Sequence, residues 1–309
     1  MQIELNKINK SFNANHVLKD VSWSAESGKA FGLLGRNGSG KTTTIRIIMG
    51  IFPQNSGTVR INGGDIKPYL NKIGYLPEER GLYPKRVIID QMVYFGVLRG
   101  MTAKNARESA EKLLKRLDAE EYLNRKLDTL SKGNQQKIQL AIALITNPDI
   151  LILDEPFSGL DPVNASMLKQ VVTDAVKEGK LVIFCSHQMA SVEELCDDIC
   201  ILERGQIVLS GNLRQIKKSY PRNRILIAPE GLDFARTLKE LKKSDKVNAI
   251  AEKVELAKLG CVVTLRDEND KNILLGEANG FLNLDTFKVL EPTLEEIFVE
   301  KAGGTVEAV

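Results

Sequence analysis

The stretch that most constrains this 309-residue chain runs from Lys29 to Gly50. It reads as an apolar run, Ala30-Phe-Gly-Leu-Leu34, then Gly35-Arg-Asn-Gly-Ser-Gly40-Lys41-Thr42, then Thr43-Thr-Ile-Arg-Ile-Ile-Met-Gly50. Apolar residues without alternation mark a strand buried on both faces, and the segment after the glycines has helical spacing. A strand that ends in glycines and re-enters a helix turns free backbone N–H groups and the positive helix end toward one point, which is a phosphate site. In the Gly-x-x-x-x-Gly-Lys-Thr pattern, Lys41 is placed for the β and γ phosphates. Thr42 supplies a hydroxyl to Mg²⁺, a hard cation that accepts few protein ligands and keeps most of its waters.

A second apolar run, Ile150-Leu-Ile-Leu-Asp154-Glu155-Pro156, ends in two carboxylates. The carboxyl end of a buried strand is where ligands of open α/β sheets bind. Asp154 is expected to hold Mg²⁺ through water. Glu155 is expected to polarise the water that attacks the γ phosphate, because phosphoryl transfer asks a protein mainly for positioning and charge stabilisation. His187 follows a third such run, Leu181 to Ser186, so loop, acid pair and histidine converge and His187 is expected to contact the γ phosphate.

Hydrophobic residues make up 43% and charged residues 27%, the balance of a globular protein of about two domains. A net charge of +3 is too small to imply nucleic acid as the main partner. Four cysteines without C-x-x-C spacing and only two histidines leave no zinc or redox motif. No apolar run approaches the roughly 18 residues of a membrane span. The expectation is a cytoplasmic protein that meets the membrane through another subunit.

Ile3 to Leu5, Val17 to Trp23 and Thr58 to Asn62 have strand patterns separated by Asn, Ser and Gly turns, which suggests an antiparallel flank on the α/β core. Residues from about 82 to 146 carry helical spacing, as in Ala110, Leu113, Leu114 and Leu117, and predict an inserted helical arm. After Ile207 to Ser210 the chain turns basic from Arg214 to Arg224, around Pro221, and reads as a linker with a boundary near Tyr220. Residues 221–309 then predict a small α+β domain, with strands at Ile225 to Ala228, Cys261 to Leu265 and Lys288 to Leu290. Helices are predicted at Asp233 to Lys243 and Leu294 to Glu300.

Within the arm, Leu130-Ser131-Lys132-Gly133-Asn134-Gln135-Gln136 opens the helix that carries Ile138 to Ile145, with Ser131 at the cap. Its free N–H groups make a second anion site. Lys132 opposes the macrodipole by about 0.3–1 kcal/mol, which an arriving polyphosphate would offset. If both sites serve one nucleotide but cannot meet within a chain, two chains can bind head to tail about a twofold axis.

In sum these residues resemble the nucleotide-binding subunit of an ATP-binding cassette (ABC) transporter over about residues 1–220. The resemblance implies an α/β P-loop NTPase fold, ATP and Mg²⁺ as cofactors, a polytopic permease and a second copy as partners, and attachment to the inner face of the cell membrane through the permease. It implies nucleotide contacts from Phe12, the adenine-stacking aromatic, and from Val17, Gly35, Asn37, Gly38, Ser39, Gly40, Lys41, Thr42 and Thr43. From the opposing copy it implies Ser131, Lys132, Gly133 and Asn134 of the signature, and Asp161 of Ser158-Gly-Leu-Asp161 between protomers. It makes Glu155 and His187 catalytic, and Thr42 and Asp154 metal-holding.

Two positions depart from the family pattern. Glu78, in Ile73-Gly-Tyr-Leu-Pro77-Glu78, stands where the switch-loop glutamine is usual; a carboxylate can attract Mg²⁺ but offers no amide donor. Lys132 and Asn134 replace the usual Gly and Gln, while Ser131 and Gly133 keep the hydroxyl and the close backbone approach. The form of the signature, with Leu290-Glu-Pro-Thr-Leu-Glu-Glu-Ile-Phe298, resembles exporter ATPases of the sodium and drug efflux type. A soluble ABC-type ATPase acting on ribosome or DNA is the alternative, but such chains commonly join two clamps or insert a long coiled coil, and neither pattern occurs here. A GTPase would need Asn-Lys-x-Asp, and Asn6-Lys-Ile-Asn and Asn71-Lys-Ile-Gly both lack the aspartate.

Overall fold

The computed structural model describes residues 1–79, 81–231 and 233–301. It divides into two units between Leu213 and Arg214.

The first unit opens with β1 (Gln2–Phe12) and β2 (Asn15–Glu26), an antiparallel pair that starts at Gln2 opposite Glu26. Alternation buries Ile3 and Leu5 and exposes Gln2 and Glu4. Asn6-Lys7 breaks that alternation. A register shift with Lys7 at φ 47° absorbs the extra residue and returns Ile8 to the core face.

Next come β3 (Ala30–Leu34), α1 (Lys41–Ile48), β4 (Ser56–Ile61) and β5 (Gly64–Asp65). β4 pairs antiparallel with β1, completing a sheet of order β2-β1-β4-β5, so the expected antiparallel flank is present.

The chain continues through β6 (Ile73–Leu76), α2 (Ile88–Leu98), α3 (Ala103–Arg116), α4 (Lys132–Leu144), β7 (Ile150–Asp154), α5 (Pro162–Lys177), β8 (Leu181–Ser186), α6 (Met189–Leu195), β9 (Asp198–Glu203) and β10 (Gln206–Asn212). The second sheet has the order β10-β9-β3-β8-β7-β6, parallel throughout except for the edge strand β10. β3, β7 and β8 are buried along their whole length, as their unbroken apolar runs predict. One core fills the space between the sheets: Ile3, Leu5 and Val21 meet Leu33, Ile45, Ile48, Ile152 and Ile183, and Trp23 stacks on Phe31 at 4.6 Å.

This order fixes the site. β8 lies between β3 and β7, with Leu34 opposite Ser186 and Asp154 opposite Cys185. The residues that follow these strands, Gly35, Glu155 and His187, are therefore delivered to one edge although they are far apart in sequence.

Helices α2, α3 and α4 form the arm predicted for residues 82–146. Thr102 caps α3 by accepting from Asn105 N–H. A Cβ at Gly96 would lie 2.7 Å from Ala106 Cβ, so the glycine lets α2 and α3 approach closely. No helix among the described residues is long and apolar enough to cross a membrane.

Around the division lies α7 (Leu213–Lys218), a basic helix where the sequence suggested a linker. Beyond it come β11 (Arg224–Pro229), α8 (Phe234–Lys243), α9 (Asp245–Ile250), β12 (Ala251–Ala257), β13 (Gly260–Leu265), α10 (Lys271–Phe281), β14 (Leu284–Leu290) and α11 (Leu294–Lys301). The strands form one antiparallel sheet of order β12-β13-β11-β14, a split βαβ arrangement. Ile225, Ile227, Cys261 and Val263 from the sheet pack on Leu241, Val247 and Leu274 from α8, α9 and α10.

Candidate functional site

At the carboxyl ends of β3 and β7 lies a cavity of about 340 Å³ lined by Val17, Arg36, Asn37, Gly38, Gly40, Lys41, Thr42, Thr43, Glu78, Asp154 and Glu155. All but Arg36 were expected from the sequence. The loop is shaped by its glycines. Gly38 and Gly40 sit at φ 79° and 111°, and a Cβ on Gly40 would come within 2.6 Å of Leu18. Gly35 is held by close approach, since its Cβ would lie 2.2 Å from Leu202 O and 2.4 Å from Ser39 Oγ. Gly40 precedes α1 without a side-chain cap, which leaves the first N–H groups of that helix facing the cavity wall.

Lys41 is folded back on its own loop. Its Nζ donates to Gly35 O at 2.7 Å and to Arg36 O at 3.3 Å, and it stands 3.8 Å from Glu155 Oε1. Both side chains are almost fully buried, at 6% and 4% exposure. Glu155 Oε1 also accepts from His187 N–H at 2.9 Å and faces His187 Nδ1 at 2.8 Å, while Oε2 accepts from Ser186 Oγ–H at 3.0 Å. The glutamate backbone is at φ 48° immediately before Pro156, a costly conformation for a residue with a Cβ. It is held by Glu155 N–H to Cys185 O at 2.8 Å and Ser158 N–H to Glu155 O at 3.1 Å.

Asp154 is 1% exposed and its Oδ1 has no hydrogen-bond partner among the described residues. Its Oδ2 accepts from Tyr75 O–H at 3.4 Å. Burial, followed by the charges of Glu78 and Glu155, pushes its carboxyl up to about 6, against the opposing pull of Lys41 and a hydrogen bond from Thr42. A buried carboxylate oxygen without a donor, beside a hydroxyl and a second carboxylate, is a set of hard oxygen donors that suits Mg²⁺. Burial and the Asp154 charge in turn raise the Tyr75 phenol, which therefore stays protonated as a donor.

None of residues 131–134 lines this cavity, and neither do Phe12, His187 or Asp161. Ser131 caps α4 by accepting from Asn134 N–H at 3.4 Å, and Ser131 and Lys132 are exposed. Asn134 donates to the Tyr122 hydroxyl at 2.8 Å. A Cβ on Gly133 would lie 2.7 Å from Asn164 Nδ2 and 3.4 Å from Asp161 Oδ2. Asp161 itself caps α5, accepting from Val163 and Asn164 N–H at 3.0 Å each. The Asn164 backbone bond leads in holding its carboxyl below the usual range. The start of α4 therefore rests on the start of α5 within the same chain. Phe12 lies at the end of β1, partly exposed, edge-on to Phe52 at 5.4 Å with Lys10 Nζ 4.9 Å above its ring. The sequence reading missed Arg36, Tyr75 and Ser186. Tyr75 and Ser186 lie inside strands whose apolar pattern gives no sign of a polar task.

A second cavity, of about 440 Å³, lies on the helical arm and is lined by Tyr83, Arg86, Asp90, Gln91 and Tyr94. Buried Gln91 shapes it, accepting from Tyr83 N–H at 2.9 Å and donating to Arg86 O at 3.0 Å.

Comparison with known proteins agrees with this geometry. The family model described as ABC transporter matches residues 18–158, and that of the ATP-binding protein DrrA1-3-like C-terminal domain matches residues 211–302. The chain is 38% identical to the ABC transporter ATP-binding protein YhaQ of Bacillus subtilis, over 99% of this chain and 100% of that protein. It is 33% identical to the Nod factor export ATP-binding protein I of Paraburkholderia xenovorans, over 68% of this chain and 70% of that one. A bacterial ABC transporter cassette solved as a dimer superposes with a TM-score of 0.63 at 24% identity, over 69% of this chain and 99% of that chain.

Proposed function

Because the chain belongs to the ATP-binding subunits of ABC transporters, we propose that it is the motor of an exporter, in which ATP closes two copies face to face and hydrolysis reopens them. The observation that carries this reading is the separation within one chain of the enclosed phosphate cavity from the exposed N-terminus of α4. A nucleotide seated on Lys41 has the signature donors of a second copy available to it only if that copy faces it head to tail. A related cassette is dimeric in its solved structure, which supports the same arrangement.

Each residue then has a task. The glycine loop and Lys41 take the β and γ phosphates. The Thr42 hydroxyl would hold Mg²⁺, with Asp154 doing so through water and Glu78 lining the same cavity, and the ion would neutralise phosphate charge at that edge. Glu155 is the base that orients and deprotonates the attacking water, and His187, at 2.8 Å from it, reaches toward the γ phosphate.

Export rather than import is supported by a relative named for export. The aromatic groove of Tyr83 and Tyr94 is proposed to receive a cytoplasmic helix of the permease, which would keep this chain peripheral at the membrane. The division near Leu213 is proposed to separate the motor from an accessory domain.

The test is Glu155→Gln. With ATP and Mg²⁺ the variant should bind nucleotide, hydrolyse it at least about a hundredfold more slowly, and sediment as a dimer whose population rises with ATP. A variant that stays monomeric at saturating ATP would contradict the sandwich, and ordinary turnover would remove Glu155 from its role.

A further inference from the structure

Ser186 ends β8 at the point where three strands of the motor meet. Its backbone is registered with Leu34 of β3, the residue before the glycine loop, and its predecessor Cys185 is registered with Asp154 of β7. The residue is 1% exposed. Its hydroxyl is used twice: it donates to Glu155 Oε2 at 3.0 Å and accepts from Gln188 N–H at 3.0 Å. A serine hydroxyl has one proton and two lone pairs, so it can serve both partners at once. The second bond closes the turn between β8 and α6, the turn that carries His187 to Glu155 Oε1.

The two oxygens of Glu155 are therefore held by different kinds of group. Oε1 shares His187 and Lys41, and the latter is a cation that an arriving phosphate draws away. Oε2 has Ser186 as its hydrogen-bond partner among the described residues. Ser186 is a neutral donor, so its hold does not depend on where Lys41 points. Without it the carboxylate is anchored through Oε1 alone, by the His187 N–H, and its terminal torsion, which is broad and twofold, loses one of its two fixed points.

We propose that Ser186 is a positioning residue for hydrolysis: through one buried hydroxyl it fixes the rotation of the Glu155 carboxylate and the turn that presents His187, without touching nucleotide. The inference rests on the reading of Glu155 as the base.

The experiment uses the full-length chain and compares Ser186→Ala, Ser186→Thr and Glu155→Gln with wild type. It measures steady-state kcat and KM for MgATP, equilibrium binding of a fluorescent ATP analogue, and Tm. Ser186→Ala should lose about tenfold or more in kcat while KM and nucleotide affinity stay within about twofold, because a charge-assisted bond that orients the base is lost and none to phosphate is. Ser186→Thr, which keeps the hydroxyl, should recover most of kcat. Ser186→Ala in the Glu155→Gln background should slow the residual reaction no further, since the carboxylate it positions is gone.

Wild-type kcat in Ser186→Ala overturns the inference. So does a loss shared equally by kcat and nucleotide affinity, or a folded Ser186→Thr as slow as Ser186→Ala, because either assigns the effect to packing. The failure of the underlying reading looks different: there Glu155→Gln itself turns over normally.

Discussion

At the carboxyl edge of the parallel sheet the polar groups already hold one another: Lys41, Glu155, His187 and Ser186 form one connected, mostly buried set around Glu155, whose backbone is at positive φ. At the start of α4 the opposite holds. Ser131 and Lys132 face solvent, and what order they have comes from a weak cap and from Gly133 resting against Asn164. The first region is a connected, mostly buried set of polar groups, whereas the second is an exposed helix N-terminus capped by Ser131. The contrast teaches where binding and catalysis separate. In the proposed sandwich, affinity would reside in the enclosed half and turnover would need the open half of another copy.

The strongest way to break this comparison is to delete one side chain from each half. Lys41→Ala removes the cation of the enclosed half and leaves buried Glu155 with less compensation. Nucleotide affinity of the dilute, monomeric chain should fall by about a hundredfold or more, the usual scale for truncating one partner of a buried charge contact. Ser131→Arg alters only the exposed half, so the same dilute chain should bind nucleotide as wild type does while its hydrolysis at dimer-forming concentration is lost. Fluorescent-nucleotide titration and a phosphate-release assay on both variants decide the matter. Equal losses of monomer affinity would mean that the two regions are not separate half-sites.

A smaller effect should come from Asp154, where catalytic readiness opposes stability. Its carboxyl is raised from 3.8 to about 6 in the fold, chiefly by burial. Between those values the folded protein binds more protons than the unfolded chain, so stability falls as pH rises through that window and is lowest above about pH 6. Asp154→Asn removes the buried charge and should make the protein, free of nucleotide and divalent ions, more stable above pH 6 by on the order of 2 kcal/mol. The gain should vanish below about pH 4, where the native carboxyl is protonated in both states. Urea unfolding in the presence of a chelator, repeated across pH 4–8, measures it. A variant no more stable than wild type at pH 7.5 would mean that the carboxylate is not held at a cost.

The enclosed half was legible in the sequence because its chemistry is local. Gly35 to Thr42 and Asp154-Glu155 are each contiguous, and each follows an apolar run that can only be an interior strand. Ser186 and Tyr75 were not legible, because their tasks depend on strand register: Ser186 matters through its position beside Glu155, and Tyr75 through a β6–β7 pairing that no local pattern announces. In the exposed half the cap at Ser131 could be read directly, but its support could not, since Gly133 meets Asn164 across some thirty residues of chain. Fold elements followed the same rule. β3, β7 and β8 carry unbroken apolar runs and α3 helical spacing, whereas α9 and β12 are short and charged, α10 is interrupted by Gly276 and Gly280, and all three went unread until packing placed them. The stretch Arg214 to Lys218 looked like a linker because its charge masks helical spacing, and it folds as α7.

The finest adjustment of the comparison concerns Glu78, an exposed carboxylate that nevertheless lines the cavity and ranks, after burial, first among the influences raising Asp154. Glu78→Gln restores the amide usual at this position and removes one negative charge from the mouth of the enclosed half. Asp154 should then ionise more readily, so the pH at which stability is lost should move downward, by less than the whole displacement that Asp154→Asn abolishes. Because Glu78 is exposed, its influence runs partly through solvent and is screened. The difference between Glu78→Gln and wild type should shrink between about 0.05 M and 0.5 M salt, whereas the effect of Asp154→Asn, which comes mainly from burial, should persist. Matching unfolding curves at the two ionic strengths separate these contributions. An effect of Glu78→Gln that survives high salt undiminished would place its carboxylate in direct contact with the acid pair, and the enclosed half would then begin at the switch loop rather than at the glycine loop.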